Sequence, residues 1–147
     1  MFRSILTALI LAALLGCGGD KAEQYMQQGF VHLQQQKYDE AIASYEKAIT
    51  LQPRAAAAYN MIGMAYRFKY NQLGVPEFRQ KEMAAFEKAV EIDSKNWVAM
   101  INLATDCYAE GDKARAAGLF KKALELNPDH PEKADIQKMI AAGEKKP

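Results

Sequence analysis

Three stretches share one pattern: "ASYEKAITLQP" (Ala43–Pro53), "AAFEKAVEIDS" (Ala84–Ser94) and "GLFKKALELNP" (Gly118–Pro128). Each carries an aromatic residue, an alanine three positions on and a turn residue five further. Before each lies a second stretch with helical spacing of apolar residues: "AEQYMQQGFVHLQQ", "AAAYNMIGMAYRFKY" and "WVAMINLATDCYAEG". The repeating unit is therefore a pair of helices. Internal repetition of this kind decides the fold before any other feature does.

The pattern resembles the tetratricopeptide repeat, a helical hairpin of 34 residues, and its register can be set residue by residue. Repeat one runs 22–55, with Tyr25, Gly29, Ala41, Tyr45, Ala48 and Pro53 at positions 4, 8, 20, 24, 27 and 32. Repeat three runs 97–130, with Leu103, Ala104, Ala116, Phe120, Ala123 and Pro128 at positions 7, 8, 20, 24, 27 and 32, and Gly111-Asp112 as its turn. Repeat two runs 56–96, with Tyr59, Ile62, Gly63 and Tyr66 at positions 4, 7, 8 and 11, then Phe86 and Ala89. Small residues at 8 and 20 let the paired helices approach closely, and the aromatic at 24 fills the space beside them. A proline after the second helix ends it and turns the chain. A single hairpin cannot cover its own apolar face, so stacked hairpins share a core. The expected fold is all-α: an α-α superhelix of three hairpins over 22–130, with a C-terminal capping helix and tail at 131–147. Asp20 and Glu23 have capping-box spacing for the first helix. Pro131 is expected inside the first turn of the last one, and "GEKKP" is read as a loose tail.

Repeat two departs from its neighbours. Gly29 and Gly63 are 34 positions apart, but Gly63 and Ala104 are 41 apart. The seven extra residues fall within Arg67–Glu82, and Glu82 stands where the other repeats have alanine. Seven residues make about two helical turns, so each helix is expected to gain about one turn, with Leu73–Pro76 as the bend. Phe68, Tyr70 and Phe78 would then lie on a projecting hairpin. They form a second contact surface for a partner, or they pack the extended helices on each other.

The resemblance also implies where a ligand lies: the concave face lined by the first helix of each hairpin. The matching positions are Met26, Phe30 and Leu33; Asn60, Met64 and Arg67; Ile101, Thr105 and Tyr108. Methionines and aromatics suit a protein or peptide partner that repacks them. Some members hold a chaperone's C-terminal carboxylate with basic and amide residues. Met26 and Phe30 are neither, which argues against that ligand here.

Chemistry is sparse. The two histidines are His32 and His130. His32 and Cys107 share repeat position 11 but lie two repeats apart, too far for a nucleophile–base pair. Cys107 is expected in the core. No metal-ligand spacing and no phosphate-binding loop occurs, so no enzyme, metal, cofactor or small-molecule substrate is expected.

The chain begins with Arg3, an apolar run from Ile5 to Gly16, and Cys17. Twelve helical residues reach only ~18 Å, short of a ~30 Å hydrocarbon core. The run therefore reads as a secretory signal over 1–16 rather than a span. Leu14-Leu15-Gly16-Cys17 resembles the lipobox of bacterial lipoproteins, which implies cleavage before Cys17 and acyl chains upon it. An ordinary signal peptide with an incidental cysteine is the other reading. Gly18 follows the cysteine where an aspartate would imply inner-membrane retention, so the resemblance implies an outer-membrane lipoprotein facing the periplasm. Residues 17–21 form a short tether: from Cys17 to Asp20 it spans at most ~11 Å. Loss of residues 1–16 removes Arg3 and leaves 18 basic against 18 acidic residues. That balance gives no nucleic-acid footprint. The function implied is a non-catalytic, membrane-tethered adaptor of the cell envelope. The alternatives are a self-associating structural lipoprotein and an accessory regulator of a cell-wall or secretion machine.

Overall fold

A computed structural model describes residues 20–145. The signal run, Cys17 and the start of the tether lie outside the described residues. Those described form seven helices and no strand. Helix α1 spans residues 20–34. It is followed by α2 (Tyr38–Leu51), α3 (Ala56–Leu73), α4 (Pro76–Ile92), α5 (Trp97–Ala109), α6 (Lys113–Leu126) and α7 (Lys133–Glu144). Helices α1/α2, α3/α4 and α5/α6 are the three hairpins, and α7 packs on α6.

Local chemistry sets the ends of these helices. Asn96 and Asp112 each place a side-chain oxygen where it accepts from a first-turn N–H, Ala99 at 3.0 Å and Arg115 at 3.1 Å. The α5–α6 turn uses Gly111 at φ 91, and the matching place between α1 and α2 is held by Gln36 at φ 60. A side chain in that left-handed region is strained, so the first turn is the costlier of the two.

Close packing explains the small residues. A Cβ added to Gly29 would lie 2.5–2.8 Å from the Tyr45 ring, and one added to Gly63 would lie 2.5–2.8 Å from the Phe86 ring. In the third hairpin Ala104 and Phe120 are both fully buried. One core gathers Ala41, Tyr45, Ile62 and Ala85. A larger one gathers Phe86, Leu103, Cys107, Phe120, Ile136 and Ile140. Cys107 is the small core residue its repeat position predicts, and burial pushes its thiol pKa up.

The extra residues of repeat two lengthen both of its helices. Helix α3 has 18 residues and α4 has 17, against 13 and 14 in the third hairpin. Gly74, left-handed at φ 66, ends α3, and Pro76 opens α4.

Both ends differ from the sequence reading. Asp20 is already helical, so it does not cap α1, and Glu23 accepts from Gln27 instead of closing a box. Pro131 lies in a turn ahead of α7, which begins at Lys133. Hydrogen bonds from His130 and Lys133 N–H to Asn127 and His130 carbonyls close that turn first. The tail is not loose from Gly143. Helix α7 runs to Glu144, Glu144 pairs with Lys121, and a Cβ on Gly143 would strike the Lys113 backbone. Ile136 and Ile140 face the core while most of the rest of α7 is exposed, as the end of a repeat stack requires.

Candidate functional site

The nine expected groove residues lie on α1, α3 and α5, the first helices of the three hairpins. They separate into two groups. Met26 and Leu33 pack against the first core, and Met64, Ile101 and Tyr108 against the second. Phe30 is 49% exposed, and Thr105 is exposed with its hydroxyl donating to the Ile101 carbonyl. Asn60 is half-buried.

Arg67 does not offer its charge to the groove. Its Nε pairs with Glu82, Nη1 donates to Asn102 Oδ1 at 2.8 Å, and Nη2 donates to Asp106 Oδ1 at 2.9 Å and the Asn102 carbonyl at 3.2 Å. Arg79 lies on the other side of the two acids. Its Nη1 donates to Glu82 Oε2 at 2.9 Å and Asp106 Oδ1 at 2.7 Å. Glu110 stands 3.6 Å from its Nε. Its guanidinium also lies over the Tyr70 ring at 4.3 Å. The result is a pair of buried carboxylates between two guanidiniums, joining α3, α4 and α5.

Glu82 is 0% exposed and Asp106 is 2% exposed. Burial, and then the Asp106 charge, push the Glu82 pKa up to about 7 against the pull of the two arginines. Burial likewise raises Asp106. Such acids persist in a core only when paired and hydrogen-bonded; Glu82 is bonded through both oxygens and Asp106 through Oδ1, while Asp106 Oδ2 is buried without a partner among the described residues.

The projecting hairpin is largely satisfied from within the molecule. Phe78 stacks on Tyr66 at 6.2 Å with Lys69 Nζ 4.3 Å from its ring. Tyr70 lies beneath Arg79. Phe68 stacks on Tyr38 of the first hairpin at 5.7 Å, so the neighbouring repeat does reach it, and it remains 37% exposed.

Sequence reasoning missed Arg79, Asp106 and Asn102. One signal was present: an acid at a repeat position that otherwise takes alanine needs a buried partner. Among the described residues no group of His, Cys, Asp and Glu is arranged to hold a metal, and no helix is long and apolar enough to cross a membrane.

Comparison with known proteins gives the arrangement its relatives. A family profile described as "TPR repeat" matches residues 25–67, and one described as "Tetratricopeptide repeat" matches 97–130. The formate-dependent nitrite reductase complex subunit NrfG of Escherichia coli O157:H7 is 26% identical over 106 residues, 72% of this chain. The aligned stretch spans 52% of that protein, about half its length. The first TPR domain of Spaghetti (RPAP3), bound to an HSP90 peptide, superposes with a TM-score of 0.70 at 22% identity, over 84% of this chain and 94% of that one. The Yersinia enterocolitica type III secretion chaperone SycD, bound to a peptide of the translocator YopD, gives 0.69 at 18% identity, over 84% and 92%. At these identities the two structures show a shared fold.

Proposed function

We propose a protein-binding role on one premise: the chain belongs to the tetratricopeptide-repeat family. Members of this fold are typically interaction modules without catalysis. What supports the reading is the placing of the nine expected positions on α1, α3 and α5, the first helices of the three hairpins. Met26, Leu33, Met64, Ile101 and Tyr108 are partly buried against the cores, while Phe30 and Thr105 are exposed. The two solved neighbours each hold a peptide, and the Escherichia coli relative is by name a subunit of a complex. Both support an adaptor that takes a peptide or protein in the groove.

In this reading the adaptor is a lipoprotein of the bacterial envelope, acylated on Cys17 and held close to the outer membrane on its periplasmic side. The Leu14–Cys17 pattern and the short apolar run support it. Several acyl chains at ~0.8 kcal/mol per buried CH₂ would hold the protein firmly. Self-association and regulation of a cell-wall or secretion machine are the other roles such a layout allows.

Two variants test the two halves of the proposal separately. Cys17→Ser is expected to release the protein from the membrane fraction; retention there would overturn the anchor. Phe30→Asp is expected to abolish capture of the partner by the membrane-held protein without lowering its thermal stability. Unchanged capture would remove the groove from the account. Met64→Asp is the poorer probe, because Met64 packs against the core.

A further inference from the structure

We propose that the cavity between the start of α1 and the end of α2 seats the phosphate of an anionic phospholipid headgroup, so that the first hairpin rests its basic end on the bilayer. This proposal rests on the reading of Cys17 as the anchor and names the surface that the protein turns to the membrane.

The cavity holds about 310 Å³ and is lined by Lys21, Tyr25, Lys47, Thr50 and Leu51. Two lysines thus share one small space, and no carboxylate lines it. Elsewhere Lys69, Lys88, Lys121 and Lys138 each pair with an acid. Lys21 and Lys47 have no such partner among the described residues. Lys47 leans on an aromatic face instead, with its Nζ 5.6 Å from the centre of the Tyr25 ring. The Thr50 hydroxyl already donates to the Glu46 carbonyl at 3.0 Å. The donors left for a ligand are the two ammonium groups and the Tyr25 hydroxyl, which suit the oxygens of a phosphate diester. Leu51 is 41% exposed at the rim, and Arg54, three residues on, is exposed as well. Basic side chains beside a tyrosine and an open leucine make the chemistry of a membrane interface.

Position selects the lipid over other anions. Lys21 is four residues from Cys17, a span of at most ~14 Å. The attraction of an anionic bilayer for lysine falls off within a Debye length, so only groups beside the anchor feel it. The tether also keeps headgroups at high effective concentration around the cavity. Helices α4 and α6 end on the same side of the stack as α2. Their ends carry exposed Glu91 and Asp93, and Asp129 and Glu132, against Lys95 and Lys133. An anionic surface therefore attracts the first hairpin and repels the other two.

The test uses the full chain, produced in a bacterial host with its own residues 1–16 and reconstituted into vesicles. One set is phosphatidylcholine alone, and the other is one part phosphatidylglycerol to two parts phosphatidylcholine. Flotation reports the anchor, and acetylation of lysines read by mass spectrometry reports the cavity. Lys21 and Lys47 are expected to label about fivefold more slowly on the anionic vesicles, while exposed Lys122 on α6 labels equally on both. Lys47→Gln is expected to raise the labelling of Lys21 there severalfold. Protein that floats but labels alike on both vesicles would overturn the headgroup site and leave the anchor standing. Protection of Lys21 that ignores Lys47→Gln would also overturn it. Equal protection by millimolar inorganic phosphate on phosphatidylcholine vesicles would assign the cavity to a soluble anion and overturn the lipid. Protein that floats with neither set would overturn the anchor and the proposal together.

Discussion

The first and second hairpins put different residues at the same place. Ala41 and Glu82 both precede their aromatic by four residues, and both lie fully buried beneath a glycine–aromatic contact. Around Ala41 the packing is apolar, with Tyr45, Ile62 and Ala85. Around Glu82 it is ionic, with Arg67, Arg79 and Asp106. The difference teaches how one backbone solution accommodates two kinds of seam. An alanine lets any apolar neighbour pack, so the first junction is adaptable. Glu82 demands two particular cations, and they in turn demand Asp106 and Asn102 on α5. The second junction therefore has a specified partner.

Removing the acid breaks this contrast most strongly. Glu82→Ala makes the second hairpin resemble the first but leaves Arg67 and Arg79 short of a counter-charge. A loss of about 3 kcal/mol is expected, at the low end for a broken buried pair because both guanidiniums keep some water. Urea unfolding measures it, and a change under 1 kcal/mol would mean that the ionic seam contributes little. The glycine contacts come next. Gly63→Ala sets a methyl group against the buried Phe86 ring and should cost about 1–3 kcal/mol, with a similar cost for Gly29→Ala against Tyr45.

Acidity sharpens the comparison because only the second seam titrates. The folded Glu82 pKa is raised from 4.5 to about 7, so folding favours its protonated form. Its contribution is present near pH 4.5 and is lost as pH rises through about 7. Glu82→Gln should flatten the stability profile over that window; a profile as steep as the parent's would place the titration elsewhere. The smallest effect lies in the first seam. The Tyr45 hydroxyl is buried without a partner among the described residues, while the other two hairpins have phenylalanine at this place. Tyr45→Phe should raise stability by about 1 kcal/mol, read as a higher unfolding midpoint.

Much of this was legible in the sequence because it follows from fixed spacing. Gly29 and Gly63 stand 34 residues apart, and the glycine–aromatic contacts follow from repeat positions 8 and 24. The longer α3 and α4 follow from seven surplus residues. The ionic seam was not legible, because Arg67 and Asp106 are 39 positions apart and charged residues on a helix ordinarily face water. Arg67 matched a groove position by register, yet its donors turn inward to acids that the repeat pattern does not include. Gly143 read as tail because its close contact is with the backbone of Lys113, which leaves no mark in residue type. That the nine expected positions fall on the first helices of the hairpins was legible from register, but the partial burial of Met26, Leu33, Met64, Ile101 and Tyr108 depends on how hairpins of this particular size meet.

The central claim is that the concave face engages a partner. A photo-crosslinking amino acid placed at Phe30, and separately at exposed Gln137 on α7, tests it inside the producing cell. The account predicts a discrete heterologous adduct from position 30 and none from position 137. Equal labelling from both positions, or none from position 30, would contradict it.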